Sequence, residues 1–135
     1  MSKIALLLLL VTLGYGQWDK TQDVRLQKDE PYRVIFHEQV AQEGTVIQRE
    51  FVLRWTLFVN DSLTVTVKYD GFNHHHVMKK KRGWNSVRLQ LLPRADSQRE
   101  TPYMLIEFQE FDDANNEAYF GLYIKDHDRT NMQIQ

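Results

Sequence analysis

The chain contains no cysteine. That excludes a disulfide framework, a thiolate metal centre, a cysteine nucleophile and a lipidated cysteine. Prolines number three and glycines six. So few breakers argue for an ordered domain rather than a flexible or low-complexity chain. No glycine-rich loop is present to cradle a phosphate, and neither Gly-x-Ser-x-Gly nor His-Glu-x-x-His occurs. Charge of one sign is also missing: 17 basic residues stand against 18 acidic ones. With no global positive field, the balance argues against nucleic acid as a partner.

Long apolar runs are absent after the first residues. Lys3 precedes an apolar stretch from Ile4 to Leu13, interrupted only by Thr12. As a helix this stretch would reach about 15 Å, half of a roughly 30 Å hydrocarbon core. It suits the middle of a secretion signal, and Gly14-Tyr15-Gly16 supplies the small residues that signal peptidase accepts. The expectation is a signal peptide over 1–16, cleavage after Gly16, and a secreted or periplasmic domain over 17–135. The lack of disulfides in an exported chain favours the periplasm or a bacterial surface.

What the rest does contain is a rhythm of two, the period of a half-buried strand. Val24 and Leu26 alternate with polar residues, and Tyr32, Val34 and Phe36 share one face. Phe51, Leu53, Trp55, Leu57 and Val59 form the longest row, and Leu63, Val65, Val67 and Tyr69 follow. Val87, Leu89 and Leu91, then Tyr103 to Phe111, then Phe120, Leu122 and Ile124 complete the pattern. Asn60-Asp61-Ser62 and Asp70-Gly71 read as hairpin turns, the former also matching an N-glycosylation pattern. The fold expected is all-β: a single antiparallel meander domain of about eight strands, closed as a small barrel or a two-sheet sandwich. The run from Thr45 to Val59 would extend about 50 Å if straight, so a bend or bulge is expected within it. An outer-membrane barrel also has alternating strands. Tyr103 to Phe111 argues against one, being apolar on both faces at first and acidic afterwards.

The residues with the most chemistry lie in Asn73-His74-His75-His76-Val77-Met78-Lys79-Lys80-Lys81-Arg82. On an extended strand His74, His76 and Met78 share one side. Imidazole and thioether together suit copper, so the three form a candidate metal site, with His37 or His127 as a further ligand if folding brings either close. Lys79, Lys80, Lys81 and Arg82, followed by Trp84, form a candidate binding patch for an anionic surface, an envelope component or a partner protein. The plainer reading of both is a solvated hairpin. Asp112 to Glu117 imitates the start of a calcium loop, but Ala118 and Ile124 stand where glycine and glutamate are needed, so it reads as a turn. Asp126-His127-Asp128 reads as a solvated tail. The sequence carries no catalytic motif; His37-Glu38 and Glu107 could pair as acid and base within a β-domain, but a lone polar residue in a strand usually faces water. The sequence therefore supports an exported, non-enzymatic β-sheet binding module. A periplasmic copper or transition-metal protein and a small secreted enzyme are the alternatives.

Overall fold

A computed structural model describes residues 18–40, 45–92, 101–126 and 130–134. The expected leader, the Pro93 loop and His127 lie outside the described residues. Among these residues nine strands are formed: β1 (Lys20–Gln27), β2 (Tyr32–Val40), β3 (Thr45–Val59), β4 (Ser62–Tyr69), β5 (Phe72–Lys79), β6 (Ser86–Gln90), β7 (Tyr103–Asp112), β8 (Glu117–Lys125) and β9 (Thr130–Ile134). They make two antiparallel sheets, ordered β1-β8-β7-β6 and β5-β4-β3-β2-β9. The sheets remain separate rather than closing into a barrel, and the architecture is that of a β-sandwich. Among the described residues no helix is long and apolar enough to cross a membrane.

The hairpins form where the sequence supplies residues that tolerate positive φ. Asn60 and Asp61 (φ 54° and 61°) join β3 to β4, and Asp70 and Gly71 (φ 51° and 86°) join β4 to β5. Two successive positive φ values give the turn whose twist matches its flanking strands. At the β7–β8 turn the Asp112 carboxylate accepts from the backbone N–H groups of Ala114 and Asn115, at 3.0 and 3.3 Å. That use of oxygen ligands is a turn-former's.

The two inner faces meet in one core. Val34, Phe36, Phe51, Leu53, Trp55, Leu63 and Val65 come from one sheet; Val24, Leu26, Met104, Ile106, Phe108, Phe120 and Leu122 come from the other. Each such side chain contributes about 1.5–3 kcal/mol by leaving water. The Trp55 indole N–H donates to the Leu26 carbonyl at 2.7 Å, linking β3 to β1 across the sandwich.

Three expectations are corrected. The anticipated bulge in β3 occurs between Trp55 and Leu57, and its extra residue, Thr56, reverses the alternation. Leu57 and Val59 are therefore 50% and 49% exposed, while Phe58 packs against the core. Asp126 is not solvated: it is fully buried, accepts from Lys20 Nζ at 2.6 Å, and is also bonded to the Thr130 hydroxyl. The polar tail beyond it forms β9, which pairs with β2 from Val34↔Ile134 to Glu38↔Thr130.

Candidate functional site

β5 and β6 are edge strands of different sheets, and no ladder joins them. Between them lies a cleft of about 490 Å³. Its apolar lining comes from Val67 and Tyr69 on β4, Val87 and Leu89 on β6, and Leu91 and Leu92 just beyond. The Tyr69 hydroxyl donates to the Leu91 carbonyl at 2.6 Å, tying the two sheets together at the cleft. Burial pushes the Tyr69 phenol far above its ordinary pKa, so it is a hydrogen-bond donor and not a base.

His74 and His76 line this cleft from β5. Their same-side relationship follows from strand periodicity, and their rings lie nearly parallel with centroids 6.3 Å apart. His76 is the more enclosed of the two. Burial first, then the neighbouring charges of His74 and His75, lower its pKa and favour the neutral imidazole. Met78 belongs to the same row but lies at its covered end, only 1% exposed within the core. The row thus runs from Phe72, 71% exposed at one end of the strand, to a buried thioether at the other. His75 points to the opposite face, within 3.3 Å of the Thr66 hydroxyl.

The other polar groups at the cleft are Arg49, Asp70, Arg88 and Gln90. Arg49 is held between Glu38 at 3.6 Å and Asp70 at 3.9 Å. Arg88 lies over the Tyr103 ring at 3.7 Å from its centroid. The periodicity of Val87, Leu89 and Leu91 showed them to be one apolar face. Nothing local in the sequence showed that this face would meet the histidine strand.

Of the further ligand candidates, His37 lies away from this cleft. His37 sits on β2, two strands removed from β4, and its Nε2 donates to Gln133 Oε1 at 3.3 Å. Among the described residues no group of three or more histidines and carboxylates is placed to hold a metal ion. Nor do the acid–base candidates converge. Glu38 pairs with Arg49 in one sheet, whereas Glu107 lies opposite Gly121 and Ser86 in the other.

At the far end of β5 the cationic run forms a tight loop. The Lys79 N–H donates to the Trp84 carbonyl and the Trp84 N–H to the Lys81 carbonyl, both at 2.9 Å. Gly83, at φ 88°, supplies the reversal. Lys80 reaches Glu110 at 2.8 Å, and this hydrogen bond and charge hold the Glu110 carboxyl below its ordinary pKa. Lys79 lies 5.9 Å from the Trp84 ring centroid, at the limit of a cation–π contact.

Compared with protein-family models, curated proteins and solved structures, the chain matches none.

Proposed function

We propose that this chain is a non-enzymatic binding module that takes a small ligand with an apolar body in the cleft between β5 and β6. The observation that carries the reading is the cleft itself: about 490 Å³, with an apolar lining and imidazole and guanidinium groups at its margin. That size and that mixture are those of small-molecule sites. An apolar body would cover Val67, Val87 and Leu89, and a polar end would meet His74, His76 or Arg88. Titration with an anionic anilinonaphthalene dye tests it. Saturable one-to-one binding is expected, weakened about tenfold or more by Leu89→Arg, which puts a charge in the apolar lining. Val77→Arg, on the opposite face of β5, should leave binding unaltered. Equal binding by wild type and Leu89→Arg, or none in either, refutes the cleft as the site.

The parallel His74 and His76 rings support a second reading, a transition-metal site. Two imidazoles on one side of a strand suit copper, and Met78 lies beyond them in the same row. Calorimetric titration with copper should then show saturable binding that His76→Ala weakens; no binding by the wild type removes the reading. We also infer export from residues 1–16. N-terminal sequencing of the protein recovered outside the cytoplasm should begin at Gln17, and an intact Met1 there would refute it.

A further inference from the structure

The β3 bulge has a second outcome, on the outer face of the five-stranded sheet. Because Thr56 reverses the alternation, Leu57 stands opposite Thr64, and Thr64 opposite Val77. In the next row Val59 stands opposite Ser62, and Ser62 opposite Lys79. The Lys79 ammonium in turn lies 5.9 Å from the Trp84 ring centroid. Leu57, Val59, Val77 and Trp84 thus share one corner of the molecule, each between 49% and 59% exposed. Large apolar side chains normally leave water, so four of them grouped at one exposed corner mark a contact surface.

The rim of this corner identifies the contact. Lys79, Lys80, Lys81 and Arg82 are consecutive and exposed. Lys79, Lys80 and Lys81 line a groove of about 440 Å³ that, among the described residues, has Phe58 in its wall and Asp61 as its single carboxylate. Glu110 already engages Lys80. Lys79, Lys81 and Arg82 therefore carry the charge presented outward. Flexible ammonium groups around exposed aliphatic and indole side chains match a plane that is anionic at its surface and apolar just beneath. Tryptophan is the side chain best suited to that boundary. The apolar residues lie on a sheet corner and a turn, shapes that a fluid plane accommodates.

We propose that the corner formed by Leu57, Val59, Val77 and Trp84, rimmed by Lys79, Lys81 and Arg82, docks on an anionic phospholipid bilayer. The aliphatic and indole groups enter the headgroup layer, and the groove between Lys79 and Lys81 takes a lipid phosphate. The corner is at the opposite end of β5 from Phe72 and His74, so this surface and the cleft stand or fall separately.

Sedimentation of the full chain with lipid vesicles tests the proposal. Binding is expected to vesicles containing phosphatidylglycerol and not to phosphatidylcholine alone. Raising salt should weaken it. The double variant Lys81→Glu, Arg82→Glu should reduce partitioning about tenfold or more, from the loss of two attractive charges and the gain of two repulsive ones. Leu57→Ser with Trp84→Ser should also reduce it, while keeping the wild-type circular dichroism spectrum. Failure to bind the anionic vesicles overturns the proposal. So does binding that ignores the Leu57 and Trp84 substitutions, which would mark a surface for soluble polyanions or acidic proteins. Self-association through the corner, abolished by Val77→Lys and unaccompanied by vesicle binding, overturns it in favour of a second copy of the chain.

Discussion

The rings of Phe58 and Phe111 stack with centroids 3.9 Å apart and planes 17° from parallel, one from each sheet. Each ring reaches the interior only because its strand is bulged. In β3 the irregularity falls between Trp55 and Leu57, and in β7 between Phe108 and Glu110. An extra residue in a strand reverses which side chains face inward. The two bulges therefore act together: both strands change phase near one end of the sandwich, and the turned-in rings pack on each other.

That relationship separates neighbouring positions in β3. Phe58→Ala should cost roughly 2–3 kcal/mol, less than the about 3–5 kcal/mol of truncating a fully buried aromatic, since Phe58 is half-buried. Leu57→Lys should change stability by only about 0.5 kcal/mol, as at other exposed sites. Urea denaturation followed by circular dichroism measures both. The reverse order of costs would mean that β3 keeps an unbroken alternation.

Trp55 is tested by its nitrogen. Trp55→Phe keeps an aromatic ring but removes the donor to the buried Leu26 carbonyl. The orphaned carbonyl costs about 1–3 kcal/mol, and the smaller ring adds a cavity cost of its own. A midpoint unchanged from wild type would show that the cross-sheet hydrogen bond contributes nothing.

Lys20 and Asp126 make a corner of the same kind. Lys20 Nζ donates to Asp126 at 2.6 Å and to the Thr130 carbonyl at 2.8 Å, drawing β1, the end of β8 and the start of β9 together. Lys20→Met removes an ammonium that is hydrogen-bonded to the buried carboxylate and should cost about 3–5 kcal/mol, less to the extent that water reaches the partly exposed Lys20. Adding Asp126→Leu to Lys20→Met should recover part of the loss. A double variant whose cost equals the sum of the singles would show no coupling between them.

His76 makes stability depend on pH in a definite direction. Its pKa in the folded protein is lowered, by burial and then by His74 and His75. Below the ordinary histidine pKa of about 6.5 the unfolded chain takes up a proton more readily than the folded one. The contribution of His76 is therefore complete above that pH and is lost as pH falls through the lower, folded value. The groups lining the same cleft include Arg49, Asp70 and Arg88 as well as His74. In the presence of a chelator, the loss of stability on acidification should be shallower in His76→Gln than in wild type. Parallel curves would show that His76 has the same proton affinity in both states.

The sequence by itself determined the all-β class, most of the strands and their turns. Two-residue periodicity reports which side of a strand avoids water, and Asn60-Asp61 and Asp70-Gly71 carry backbone preferences that act over four residues. It also showed that His74 and His76 share a side, because that is a property of one strand. Only the tertiary structure decided the rest. Thr56 has no local mark of a bulge, so the inward place of Phe58 and the exposure of Leu57 and Val59 follow from how β3 pairs with β4. Thr130 to Ile134 is polar enough to resemble a tail and becomes a strand because the edge of β2 offers it hydrogen bonds. The cleft joins His76 to Leu89 only because two edge strands of different sheets lie side by side. Such neighbours are set by the packing of whole sheets, which no short stretch of chain encodes.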